Sequence, residues 1–396
     1  MGSEPLPYYV VAVHGGAGAH SSDSELSVKR ALRAACASSC FSLASGSSAL
    51  DAVTHAISSL EDAEPLNAGY GSNLTLSGDV ECDASLMDGR TSNFGAVGAV
   101  RGVKNPIRLA RAVADARMTK DALGRVPPLL VAGTGAEALA SANGVERLVC
   151  EAMVSPRARR EWEYWKARLD GSPSQPHPSQ DASEHTDAGI FAGAQPQTQT
   201  LHARQDTVGA VALDSGGNVA AGASSGGLLL KPSGRIGEAA IFGAGCCARQ
   251  ARNQLQGTVS GQMQGMACSV SGTGELIIET ALAKVLADAL ERSPDEDAHE
   301  VLRSVLVDKF YKEWIRRGED EPNAGVLLLT KEAGDASEPV ARLWCAFTTP
   351  SMAIGYVSST MPKPIVKILR NPTHSHNATH PPFYITSLPL HVTERA

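Results

Sequence analysis

Asp206-Thr207-Val208-Gly209-Ala210-Val211-Ala212-Leu213-Asp214 is the stretch on which the reading of this chain turns. Upstream of it, from Gly171 to Gln205, the sequence is rich in Ser, Pro, Gln and His and poor in large apolar residues. Such a segment cannot offset its ordering entropy by burial and reads as a linker. Downstream, an apolar strand begins at once, and Thr207 sits on the seam. A cut before Thr207 would give it a free α-amine beside its hydroxyl. A threonine hydroxyl is a poor nucleophile without a base. An α-amine with a reference pKa of about 7.7–8 supplies one near neutral pH.

Moving outward, Val208–Leu213, the turn Ser215-Gly216-Gly217-Asn218 and Val219–Ala223 read as a hairpin that returns Ser224-Ser225 toward Thr207. Gly234-Arg235-Ile236-Gly237-Glu238 then carries a cation and an anion on one turn. Arginine is the natural two-pronged clamp for a carboxylate. Ser271-Gly272-Thr273-Gly274-Glu275 places hydroxyls and backbone amides just ahead of a helix, where donors suit a developing oxyanion. Helices are expected over Gly274–Leu290 and Ala298–Arg317, and strands over Ala324–Leu329, Ala341–Thr348 and Ser351–Val357.

Before the seam, Tyr8–Val13 reads as a buried strand entering the glycine turn His14-Gly15-Gly16-Ala17-Gly18. Helices are expected over Ser27–Leu43, Ser48–Leu60, Pro106–Ala116 and Gly135–Asn143. The second opens with Ser48 and Asp51 at capping-box spacing. Short strands are expected over Leu74–Leu76, Val80–Met87 and Ala96–Val100. Arg157–Arg168 reads as an exposed helix at the start of the linker. Strands and helices occur on both sides of the seam, and neither half is complete alone. Residues 1–206 (core 7–154, mobile linker about 155–206) and 207–396 therefore read as two parts of one α/β or α+β domain.

Composition narrows the function classes. The 43% hydrophobic content of the 396 residues suffices for a packed core, and a net charge of −7 argues against a broad nucleic-acid footprint. The eight scattered cysteines form no pair or Cys/His set with zinc spacing and read as reduced thiols. No stretch approaches the ~20 apolar residues of a membrane span. Met1–Leu6 lacks the basic start of a signal peptide. The expected location is cytoplasmic, nuclear or both, not secreted, with no membrane or direct nucleic-acid partner.

Taken in series, His14–Gly18, Asn67-Ala68-Gly69 through Met87-Asp88-Gly89, Thr207–Gly227, Arg235 and Ser271–Glu275 resemble the type-2 asparaginase family of N-terminal nucleophile hydrolases. The resemblance covers nearly the whole chain except the linker. It implies an αββα four-layer sandwich of the α+β class, and an inactive precursor that cleaves itself between Asp206 and Thr207. It also implies an (αβ)2 assembly. On matching positions it makes Thr207 the nucleophile, Ser225 its supporting hydroxyl, and Ser271 with Gly272 the oxyanion pair. Arg235 becomes the substrate-carboxylate clamp and Gly16 part of a glycine turn near the site. No metal or organic cofactor is implied.

Within that family the chain is most similar to the threonine-aspartase (taspase) branch. Ser225 and Ser271 stand where asparaginases have threonine, Leu66–Ser85 and Phe347–Tyr356 look like that branch, and the long insert before Thr207 is one of its traits. The branch implies an endopeptidase that cuts protein substrates, nuclear regulators among them, after aspartate. One residue departs from it. Asparaginases carry an aspartate three residues after the clamp arginine, where it meets the substrate ammonium, and the branch carries a neutral residue. This chain has Glu238. The expectation is a self-processing threonine endopeptidase. The alternatives are an asparaginase or isoaspartyl peptidase acting on small aspartyl substrates, and a catalytically silent scaffold.

Overall fold

The computed structural model describes residues 7–119, 121–171, 207–251, 263–294, 296–333, 340–372 and 381–390. They build an α+β sandwich of two stacked sheets between helical layers. The larger sheet contains β1 (Val10–Gly18), β2 (Cys82–Asp88), β3 (Asn93–Val100), β4 (Leu130–Ala132), β5 (Val208–Leu213), β6 (Val219–Ser225), β11 (Ser351–Ser358) and β12 (Ile365–Arg370). Their order is β12-β11-β1-β5-β6-β2-β3-β4. The smaller sheet contains β7 (Cys246–Gln250), β8 (Met263–Gly272), β9 (Ala324–Glu332), β10 (Val340–Phe347) and β13 (Tyr384–Leu388), in the order β13-β10-β9-β8-β7.

Helices α1 (Ser22–Ala44), α2 (Ala49–Glu61) and α3 (Pro106–Ala116) cover the outer face of the larger sheet. Across the molecule, α7 (Leu282–Arg292) covers the smaller one. β5 is therefore walled on one side by α2 and on the other by β8 and β9. All six of its residues are buried, which is why Val208–Leu213 reads as a continuous apolar run and does not alternate. Sequence on both sides of Thr207 interleaves in one sheet. β5 pairs with β1, Val10 opposite Leu213 and His14 opposite Gly209, and with β6, Val208 opposite Ser224.

α2 forms where the sequence signals it. Asp51 N–H donates to Ser48 Oγ at 3.2 Å and Ser48 N–H donates to Asp51 Oδ2 at 3.3 Å, closing the capping box. Ala52, Val53, Ala56, Ile57 and Leu60 then repeat at helical spacing and are buried. Each large one among them gains about 1.5–3 kcal/mol from that burial.

Several expectations are corrected. The single helix expected over Gly274–Leu290 is two, α6 (Gly274–Thr280) and α7, broken at Ala281, whose φ is 50°. An alanine in the left-handed region carries no sequence signal. Ala298–Arg317 divides into α8 (Ala298–Arg303), a π-helical stretch Ser304–Tyr311 and α9 (Lys312–Arg316). Leu74 and Thr75 make only isolated bridges, to Val80 and Lys231. The expected turn after His14 is a continuation of β1 with a register shift, and Gly16 takes a φ of 106° there. The helix expected over Arg157–Arg168 forms as α5 (Pro156–Leu169), but it is held to the core, not part of a mobile linker, by Trp162 Nε1–H on the Thr75 carbonyl at 2.8 Å. The remainder of the linker, 172–206, lies outside the described residues.

Candidate active site

Thr207 stands one residue ahead of β5 and is buried. Because Val208 pairs with Ser224, the antiparallel register brings Thr207 beside Ser225, and Thr207 Oγ1 lies 3.2 Å from Ser225 Oγ. The same Oγ1 donates to Glu238 Oε1. Ser225 Oγ in turn accepts Gly227 N–H at 3.0 Å. Three side chains separated by up to 31 positions thus meet at one hydroxyl. Asp206 lies outside the described residues.

Asp83 explains why the Arg235–Glu238 turn sits here. It is on β2, opposite Ser225 of β6, and buried. Its Oδ1 accepts Ala99 N–H and its Oδ2 accepts Gly237 N–H, both at 2.8 Å. The second bond pins the turn against the start of β2 just before Glu238. Burial raises the Asp83 pKa, opposed chiefly by the charge of Lys231. Glu238 is buried as well. Desolvation raises its pKa, opposed by the Thr207 hydroxyl and the Arg235 charge. Gly274 completes the enclosure, since a Cβ there would lie 2.4 Å from Glu238 Oε2.

Arg235 faces the same narrow cleft, which is also lined by Asn67, Thr207, Ser225, Glu238 and Gly272. Its Nη2 donates to Glu275 Oε1 at 2.6 Å and its Nε to the same oxygen at 2.8 Å. Glu275, in the first turn of α6, was not foreseen as part of the site. A roomier cavity of about 210 Å³, bordered by Asp88, Arg111 and Asp214, lies at the far end of the β5–β6 hairpin. Arg111 is already paired there with Asp51 and Asp115, and neither Thr207 nor Ser225 reaches it, so chemistry and not size marks the site.

Two expected site residues make bonds to residues other than Thr207. Ser271 Oγ accepts Ala17 N–H at 3.1 Å and ties β8 to β1, so Gly272 is the member of that pair that lines the cleft. The Gly16 carbonyl accepts from His20 Nε2 at 3.1 Å, and Gly16 is not among the residues lining the cleft. The expected clamp Arg235, the supporting Ser225, and Glu238 are brought together around Thr207.

A buried polar layer underlies Thr207. Ser269 Oγ donates to the Gly222 carbonyl at 2.9 Å and lies 2.8 Å from His14 Nε2. The hydroxyl proton is spent on Gly222, so the imidazole must carry its proton on Nε2. Burial lowers the His14 pKa to about 3 and keeps the ring neutral. Gly209 is obligatory above this pair, since a Cβ there would lie 1.9 Å from Ser269 Oγ. One strand over, Ser224 Oγ donates to Glu61 Oε1 at 2.7 Å, and Ile107 N–H donates to the same oxygen at 3.0 Å. Burial pushes the Glu61 pKa up to about 8. A histidine inside an apolar strand and a glutamate ending an apolar helix were the available signals for these groups.

The geometry combines the Thr207 hydroxyl, a neighbouring hydroxyl, a carboxyl and a guanidinium. That set suits acyl transfer on a substrate carrying its own carboxylate. Comparison with known proteins agrees. Residues 7–310 match the asparaginase family model, described as "Asparaginase". The chain is 33% identical over 291 residues to an isoaspartyl peptidase/L-asparaginase of Xenopus laevis, covering 73% of this chain and 79% of that protein. It is 36% identical over 287 residues to an isoaspartyl peptidase of Salmonella typhimurium (71% and 79%). It is 31% identical over 328 residues to an isoaspartyl peptidase/L-asparaginase of Mus musculus (82% and 83%).

Proposed function

The chain belongs to the asparaginase family of N-terminal nucleophile hydrolases, and from that premise we propose that it is a self-processing threonine hydrolase acting at the carbonyl of an aspartyl group. The observation that carries this is the meeting of the Thr207 hydroxyl with Ser225 and Glu238 at a cleft that also contains Arg235.

In the mature enzyme the Thr207 α-amine takes the hydroxyl proton while Oγ1 attacks the substrate carbonyl carbon. Ser225, 3.2 Å away, steadies the attacking oxygen. The Gly272 amide is the donor we assign to the oxyanion. The amine then hands its proton to the leaving nitrogen, and water hydrolyses the acyl-threonine ester. Arg235 holds the substrate carboxylate.

For the substrate, the names of the relatives favour β-aspartyl peptides and L-asparagine. Glu238 supports that reading, because a carboxylate beside Arg235 can meet the ammonium of a free amino acid while the guanidinium meets its carboxylate. A second reading, endopeptidase cleavage after aspartate, has its own support. A buried Glu238 whose desolvation favours the neutral form resembles the neutral residue of the threonine-aspartase branch, and a peptide substrate needs no counter-charge there. Ser225 and Ser271 match the same branch. An (αβ)2 assembly in the cytoplasm or nucleus belongs to the proposal too.

Intact mass of freshly folded full-length protein tests the shared step. Two fragments meeting at Asp206/Thr207 are expected, and a single full-length species after long incubation, indistinguishable from Thr207→Ala, would overturn it. Assays with L-asparagine, a β-aspartyl dipeptide and an internal aspartate peptide then separate the substrates. Turnover of the internal peptide alone would replace the first reading by the second.

A further inference from the structure

The base that serves the mature enzyme does not exist before the cut. In the uncut chain the Thr207 nitrogen is an amide, whose lone pair is delocalised and does not take protons. Some other group must accept the Thr207 hydroxyl proton for the first attack. The described residues offer two neighbours to that oxygen, Ser225 Oγ at 3.2 Å and Glu238 Oε1. A hydroxyl carries one proton, and the two are not equal acceptors. Ser225 Oγ already accepts Gly227 N–H at 3.0 Å, and a neutral hydroxyl is a far weaker base than a carboxylate. The nearby imidazole, His14, has its Nε2 on Ser269 Oγ and is held neutral with a pKa near 3 by burial.

We propose that Glu238 is the proton acceptor of self-cleavage, taking the Thr207 hydroxyl proton as Oγ1 attacks the Asp206 carbonyl carbon. The proposal rests on the self-processing reading above. The step balances. The O–C bond forms as the proton passes to the Glu238 carboxylate. The tetrahedral intermediate collapses by breaking the Asp206–Thr207 C–N bond, and the proton returns from Glu238 to the departing nitrogen. The products are an ester of Asp206 with Thr207 and a free α-amine. Water hydrolyses the ester to the Asp206 carboxylate and the Thr207 hydroxyl, and Glu238 ends as it began.

The surroundings suit a base of this kind. Arg235 on the same turn favours the ionised carboxyl, while burial and the Asp83 charge from β2 oppose it. Glu275 of α6 is held on Arg235, and Lys231 Nζ–H is spent on the Glu81 carbonyl at 2.7 Å. Gly274 packs against Oε2 and leaves Oε1 aimed at Thr207. A carboxyl raised above its ordinary range is a stronger base once ionised, so cleavage should accelerate with pH until Glu238 is fully ionised and then level.

The test follows full-length protein from cell-free synthesis by gel and intact mass across a pH series. Wild type should show the rise and plateau. Glu238→Gln should cut about a hundredfold more slowly or worse, with the rise gone. Glu238→Asp should keep the rise at a reduced rate. Hydroxylamine, which splits esters, should not rescue Glu238→Gln, because the missing step precedes the ester. The inference is overturned if Glu238→Gln cuts within about threefold of wild type with the same pH rise, or if hydroxylamine restores its cutting. Melting curves of each variant with Thr207→Ala added check that they fold. Should Glu238→Gln not fold, Glu238→Asp decides: a wild-type rate, or loss of the pH rise, overturns the inference. Wild type that never cuts defeats the self-processing reading itself, whereas wild type that cuts indifferently to residue 238 defeats only the role of Glu238.

Discussion

Glu275 Oε1 receives both Nη2 and Nε of Arg235, at 2.6 and 2.8 Å, from the first turn of α6. The guanidinium that faces the cleft is therefore aimed by a carboxylate outside it. Arg235 is 14% exposed but Glu275 is 51% exposed, so solvent screens the pair. Glu275→Gln should raise KM about two- to fivefold with kcat nearly unchanged, since it loosens aim without touching the nucleophile. Steady-state kinetics on whichever substrate is turned over checks this. A kcat loss matching the KM rise would place Glu275 in the chemistry.

Asp83→Asn is predicted to weaken both stability and processing. Both carboxylate oxygens accept buried backbone N–H groups, from Ala99 and Gly237. An asparagine offers one acceptor and turns an NH2 toward the other donor. The cost should be about 2–3 kcal/mol, read by chemical denaturation in a Thr207→Ala background. Self-cleavage should slow as well, because the Gly237 bond positions Glu238.

Glu61 predicts a pH dependence of stability. Its pKa is raised by burial from 4.5 to about 8. The folded state holds a proton that the unfolded chain releases, so the contribution is fully present below pH 4.5. It is lost as pH rises toward about 8. Melting temperatures of Thr207→Ala with and without Glu61→Gln should diverge across that window, with the Gln variant losing less on the alkaline side. Parallel curves would refute the assignment.

Gly209→Ala should abolish processing. The new Cβ would fall 1.9 Å from Ser269 Oγ and 2.5 Å from His14 Nε2, inside a layer with sheet on one side and helix on the other. Overpacking at about 3 kcal/mol or more is expected, visible as an uncut chain with a lowered melting temperature. Adding Ser269→Ala should recover part of the loss by clearing the nearer atom.

Much of this site is legible in the sequence. The hairpin register follows from the turn Ser215–Asn218, so Ser225 could be placed beside Thr207 from sequence. Arg235 and Glu238 could be assigned to one turn, but not aimed, because the aim comes from Asp83 and Glu275, 152 positions before and 40 after Arg235. The Ser271 hydroxyl could not be aimed from sequence for a related reason. Its hydroxyl direction depends on which face of β8 meets β1, and a strand of small residues such as Met263–Gly272 carries weak pattern. The smaller sheet was the least legible part. β7, β8 and β13 are short or polar at alternate positions, and their partners determine them more than their own propensities do. The break at Ala281 falls on a left-handed alanine, with no glycine or proline to announce it.

The place of β5 between β1 and β6 has a further consequence. A cut at Thr207 releases a chain end in the middle of a sheet, not at its rim, and the strand beginning there is hydrogen-bonded to neighbours on both flanks. The two pieces cannot separate without tearing the centre of the molecule. On the self-processing reading, folding comes first and chemistry second, because Thr207 reaches Ser225 and Glu238 only once the sheet around it has closed. Once broken, the event is a ratchet. An uncut chain finds its fold as one molecule, but an unfolded cut enzyme must bring two polypeptides together again, with the loss of translational freedom that association entails. Heating and cooling should therefore return the Thr207→Ala chain and strand the processed one, so that the enzyme's durability is set by how slowly that central strand lets go.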